Sequence, residues 1–123
     1  MPLQPLSADD PAALDRLFQA LADPIRRDLV DRLGRGPASV KELAQPLPIA
    51  LPSVLKHLRV LEMGGIVLSH KAGRVRTYRI EPLALARIEG WVAQRKAMWA
   101  DRFDRLEQYL INHPDDDSTG STP

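Results

Sequence analysis

The chain has 123 residues, a length that suits one domain, and 44% of them are hydrophobic, enough for a packed core, but only 5% are aromatic. It holds no cysteine, which excludes disulfides, thiolate metal sites and cysteine-based redox sensing, and no run approaches the roughly 20 apolar residues of a membrane span. The net charge of +1 conceals an asymmetry: residues 1–23 and the Asp115–Asp117 run are acidic, while residues 50–80 set six Lys and Arg against Glu62 alone, the electrostatic footprint of a phosphate-binding surface.

Residues 1–9 have no clear period and read as an N-terminal arm. They carry no basic stretch ahead of an apolar run, so no signal peptide is expected and a cytoplasmic location follows. From Asp10, a candidate N-cap before Pro11, Leu14, Leu17, Phe18 and Leu21 form an i, i+3, i+4, i+7 stripe and predict a helix. Asp23-Pro24 repeats the start signal. Ile25, Leu29 and Leu33 mark one face of a second helix, which Gly34 or Gly36 ends before Pro37. Ser39 and Glu42 match a capping box and open a short third helix with Val40, Leu43 and Ala44.

A fourth helix is expected to start between Ala50 and Pro52. Leu51, Val54, Leu58 and Leu61 form its seat, Ser53, Lys56, Arg59 and Val60 point away, and Gly64-Gly65 terminates it. The runs Ile66–Lys71 and Arg74–Ile80 flank Ala72-Gly73 and read as a β-hairpin on which Arg74, Arg76 and Tyr78 share a face. Pro82 sets up a last helix to about Asn112, with Ile88, Val92, Trp99, Leu106 and Leu110 as an apolar seam that Trp91, Met98 and Phe103 widen. Gly90 inside that helix suggests a close backbone approach. Residues 114–123 read as a disordered acidic tail, which leaves 10–113 as the folded domain.

This order defines the expected fold: mainly α with a small β-hairpin, a winged helix-turn-helix whose third and fourth helices form the helix-turn-helix. The exposed face of the fourth helix offers Ser53, Lys56 and Arg59 to a major groove wide enough for a helix. Lys71, Arg74 and Arg76 on the hairpin are long cations suited to phosphates or a narrow minor groove.

The segments FQALADPIRRDLVDRL and LPSVLKHLRVLEMGGIVLSHKAGRVRTYRI resemble the second helix and the recognition helix and wing of ArsR-type regulators. The likeness covers roughly residues 11–110, and WADRFDRLEQYL resembles a subgroup without cysteine metal ligands. The resemblance implies that Ser53, Lys56 and His57 lie at the DNA face with Arg74 and Arg76 flanking it. It also implies a homodimer built from the first and last helices, so that Leu14, Leu17, Phe18, Val92, Trp99, Phe103, Leu106 and Leu110 become interface residues. One departure is Leu55, where the family often has Ser before the Lys-His pair; a polar contact would be lost there or replaced by a thymine methyl.

Several residues have a second reading. His57 touches DNA or packs at the helix edge, His70 is a plain strand residue, and His113 caps a helix end. Asp101, Asp104 and Glu107 invite a metal reading, but no histidine lies between 71 and 112, and Arg102 and Arg105 suit ordinary helix charge pairs. Trp91, Met98 and Trp99 line an effector pocket or pack a dimer. No catalytic constellation, phosphate loop, cofactor or metal site is expected. The function that follows is a dimeric regulator, a repressor that occupies an inverted-repeat operator in double-stranded DNA, with no known effector. The alternatives are an effector- or metal-responsive derepressor on the same scaffold, and a winged-helix protein-interaction module.

Overall fold

A computed structural model describes residues 11–114; Asp10, the arm at 1–9 and the acidic run at 115–123 lie outside the described residues. The elements follow the order α1 (Pro11–Leu21), α2 (Pro24–Leu33), β1 (Ala38–Ser39), α3 (Val40–Ala44), α4 (Leu51–Met63), β2 (Val67–Ala72), β3 (Val75–Ile80) and α5 (Pro82–Asn112). Two compact units divide inside α5, the first through Arg87 and the second from Ile88.

In the first unit, local chemistry sets the helix boundaries. The Asp23 carboxylate accepts from the N–H groups of Ile25 at 2.9 Å and Arg26 at 3.1 Å, and Pro24 begins α2. Arg26 reaches back to donate to the carbonyls of Ala20 and Gln19, and Arg27 to that of Leu21, so two cations satisfy the last turn of α1. The capping box at α3 forms as expected: Ser39 Oγ accepts from Glu42 N–H at 3.2 Å, and Glu42 accepts from Ser39 N–H at 2.9 Å.

The strand at Ala38–Ser39 has no counterpart in the sequence expectations. It pairs antiparallel with Tyr78 and Thr77 of β3, so the sheet order is β1-β3-β2 and the hairpin is anchored to the chain ahead of α3. Two residues are too few for an alternation to be read. The hairpin turn also lies one residue later than expected. Ala72 pairs with Val75, leaving Gly73-Arg74 as a two-residue turn with Gly73 at φ +64, the conformation that favours glycine.

Ala13, Leu17, Ala20, Leu29, Leu33, Leu43, Val54, Leu58, Leu61, Ile66, Val67 and Tyr78 form the core with Ala84. The face that α1 buries is Ala13, Leu17 and Ala20, not the whole leucine stripe; Leu14 and Leu21 are half-buried and Phe18 is exposed. Gly64 explains the choice of alanine. A Cβ there would stand 2.8 Å from Ala20 Cβ and 2.9 Å from the Arg16 carbonyl oxygen, so α1 and the end of α4 meet where only small groups fit. Leu51 also leaves its expected seat and is exposed, because the core face of α4 runs through Val54, Leu58 and Leu61.

In the second unit, α5 continues as a helix to Asn112, as the sequence pattern predicts. Val92, Met98, Trp99, Phe103, Leu106, Tyr109, Leu110 and Ile111 are all exposed. Gly90 has open space around it, so no close backbone approach uses it among the described residues. Arg95 lies over the Trp91 ring at 4.5 Å, and the His113 ring stacks on Tyr109 at 4.2 Å.

Candidate nucleic-acid interface

Three elements of the first unit assemble the candidate site. Helix α3 and helix α4 are joined by the short segment 45–50, and the β2–β3 hairpin follows α4. Because Val54, Leu58 and Leu61 are buried on one side of α4, the helical period turns Ser53, Lys56 and Arg59 outward, and all three are exposed. Lys71 and Arg76 pair across the hairpin, and Arg74 occupies its turn. Among the described residues, Lys56, Arg59, Lys71 and Arg74 form no ion pair. Their charges stay available for an external anion.

His57 departs from the expected DNA face. Its side chain is turned toward the start of α2, where Nδ1 lies 3.3 Å from Arg26 Nη1 and 3.8 Å from the Asp23 carboxylate. The shorter contact is a hydrogen bond that the Arg26 guanidinium donates; the longer exceeds hydrogen-bond distance. The Arg26 backbone N–H, ahead of the Arg26 charge and the Ile25 N–H, holds the Asp23 carboxyl below its ordinary value. His57 thereby joins the recognition helix to the cap of α2, the packing alternative of its two sequence readings.

Arg76 is more engaged than its sequence reading suggests. Its Nη1 donates to Ser69 Oγ at 2.8 Å, and Ser69 Oγ donates to Glu62 at 2.8 Å, so a relay ties the wing to the last turn of α4. Arg76 shares a sheet face with Tyr78, as period two requires, but that face turns inward at Tyr78, which is buried, while Arg74 belongs to the turn. Burial raises the Tyr78 phenol above its ordinary value, and the nearby Glu62 charge adds to the shift. The relay escaped the sequence reading because Ser69, unlike the cations around it, carries no distinctive pattern.

The remaining site residues divide between core and surface. Leu17 is fully buried within its own unit, so it is not a surface residue, whereas Phe18 is exposed and Leu14 half-buried. Val92, Trp99, Phe103, Leu106 and Leu110 are exposed along α5. Asp101 pairs with Arg105 at 2.7 Å, the helix charge pair expected of it. Among the described residues, no three His, Asp or Glu side chains gather closely enough to hold a metal ion. His113 Nδ1 lies 2.9 Å from the Tyr109 carbonyl, at the helix end. Among the described residues, no helix is long and apolar enough to cross a membrane.

A polar-faced helix seated on a small core, preceded by a short capped helix and followed by a cationic hairpin, defines a winged helix-turn-helix protein of the DNA-binding kind. A helix-turn-helix domain model matches residues 21–70. The HTH-type transcriptional regulator Rv2034 of Mycobacterium tuberculosis is 47% identical over 72 residues, 58% of this chain and 67% of that protein. The crystal structure of an ArsR family transcriptional regulator is 48% identical and superposes with a TM-score of 0.72, covering 76% of this chain and 97% of that one. The chain belongs to the ArsR family of transcriptional regulators. Another similar fold is the homodimeric winged helix-turn-helix DNA-binding domain of a possible ArsR-family regulator from Mycobacterium bovis, at 26% identity and a TM-score of 0.57, covering 71% of this chain and 82% of that one.

Proposed function

We propose that this protein is a homodimer that binds an inverted-repeat operator in double-stranded DNA, in the cytoplasm, and represses transcription by occupying it. The observation that carries this reading is the set of exposed cations on two adjoining elements that form no ion pair among the described residues: Lys56 and Arg59 on α4, Lys71 and Arg74 on the hairpin. On this reading Ser53, Lys56 and Arg59 face base edges in the major groove, while Arg74 and Lys71 meet phosphates. Arg76 supplies charge and, through Ser69 and Glu62, fixes the angle of the wing. His57 positions α4 from behind and does not touch DNA.

Dimerisation draws support from α5. Val92, Trp99, Phe103, Leu106 and Leu110 recur at spacings of three, four and seven, the period of a helix that packs on another helix, and all are exposed in one chain. The similarity to a homodimeric DNA-binding domain points the same way. A dimer would bring two recognition helices to half-sites roughly 34–36 Å apart.

Selection of binding sites from a random-sequence DNA pool, followed by a reporter fused to the site found, tests the reading. An inverted repeat and lowered reporter output when the protein is supplied are expected. Binding with no sequence preference, or raised output, would overturn operator-based repression.

A further inference from the structure

A groove of about 900 Å³ lies among α3, the first half of α4 and the tip of the wing, and the proposed DNA contacts of the polar side chains leave its apolar walls without a role. Leu51, Leu55 and Val75 line it, Lys41, Arg74 and Arg76 bring three cations to the same groove, and the one carboxylate there, Glu42, is held by the Ser39 N–H of the α3 cap. The aliphatic side chains are well exposed, at 49%, 42% and 53%. Leu51 and Leu55 stand one turn apart on the flank of α4 that faces the wing, away from the Ser53 and His57 flank that faces α2.

An apolar surface among cations matches one feature of duplex DNA. The major-groove edge of thymine carries a C5 methyl group, the apolar group among otherwise polar base edges, and phosphates run on either side of it. Leu51 is the first residue of α4, and the N-terminal residues of a recognition helix are those that reach base edges. A cytosine at that position would set its N4 donor against a leucine with no acceptor, an unsatisfied polar group; a thymine would bury its methyl. Lys41 and Arg74 form no ion pair among the described residues, so both can meet the flanking phosphates.

We propose that Leu51 and Leu55 determine specificity by reading thymine methyl groups, with Lys41 and Arg74 holding the phosphates on either side. This rests on the DNA-binding reading above and adds a selection that the hydrogen-bonding groups of Ser53 and Lys56 cannot make. Those groups meet the same O4 acceptor on thymine and on uracil; the leucines distinguish the two bases.

The test uses the best duplex selected from a random pool, with each thymine replaced in turn by deoxyuridine. The exchange keeps base pairing and removes only the methyl. At one thymine per half-site, wild-type affinity should fall about fourfold, and about fifteenfold when both half-sites are changed. Leu51→Ala and Leu55→Ala should each abolish the difference at the thymine that the truncated leucine meets and keep it at the other. Both residues are exposed, so thermal melts of the variants should overlay the wild type, and this separates loss of reading from loss of fold. Wild-type protein indifferent to deoxyuridine at every position would overturn the proposal, as would variants that keep the full difference. Deoxyuridine-indifferent DNA binding that dodecanoate displaces through these leucines would instead assign the groove to an apolar anion. Absence of any selected sequence would sink the operator reading itself, whereas a selected sequence without a methyl effect would sink only this one.

Discussion

Removing one cation from the wing and one from the recognition helix should produce two different failures. Arg74 sits in the hairpin turn, exposed and without an ion pair among the described residues, so Arg74→Ala removes charge without breaking an internal bond. Each neutralised phosphate contributes about 0.9 to the slope of log affinity against log salt, and a dimer carries two copies, so the slope should fall by about 1.8. Between about 50 and 200 mM salt, the wild type should then lose about twelvefold more affinity than Arg74→Ala. Preferred and random DNA should weaken in parallel. Lys56→Ala should act elsewhere: a lost base contact costs ~1–3 kcal/mol per half-site, so with two half-sites the ratio between preferred and random DNA should shrink at least about thirtyfold. Fluorescence anisotropy isotherms on both DNAs at several salt concentrations separate the outcomes. If Arg74→Ala changed base preference while Lys56→Ala moved only the salt slope, the wing would be the reading element and the assignment would be reversed.

For the dimer, the wild type should sediment at twice the chain mass at micromolar concentration, and Phe103→Glu with Leu106→Glu should give a folded monomer that binds a half-site weakly; a wild-type monomer with intact operator binding would refute the α5 interface. For pH, the Asp23 carboxyl is held below its ordinary value of 3.8, so the folded state favours its charged form. The contribution is therefore fully present above 3.8 and is lost as pH falls through the lowered range. Asp23→Asn should melt below the wild type at neutral pH, and the gap should close in strong acid; a gap that persisted unchanged there would show that the cap does not act through its charge.

Much of the fold could be read before any coordinates, and the reasons are local. Asp23-Pro24, the Ser39–Glu42 box and the Gly64-Gly65 pair act within a few residues of themselves, and each sets a boundary where it was expected. The hairpin was legible from β-branched runs around a glycine, but its turn was displaced by one residue because Gly73 takes the first turn position and draws Arg74 into the second. Strand β1 was not legible, since two residues hold no period and its partner lies about forty residues away. The buried face of α1 was not legible for a similar reason. Leucines outrank alanines in a hydrophobic stripe, yet the tight passage at Gly64 selects Ala20.

The outward face of α4 followed from its inward one, but its two flanks did not. Helical period places Ser53 and His57 on one side of the reading face and Leu51, Leu55 and Glu62 on the other, without saying which neighbour each side meets. The fold decides this. One flank receives Asp23 and Arg26 from α2 and draws His57 away from solvent. The other receives Ser69 from the wing, which binds Glu62 and leaves Leu51 and Leu55 in an open groove. A histidine beside a lysine on a recognition helix invites a DNA contact, and a leucine there invites a place in the core. Long-range packing reverses both expectations: the polar side chain becomes the internal brace, and the apolar ones stay exposed in an open groove.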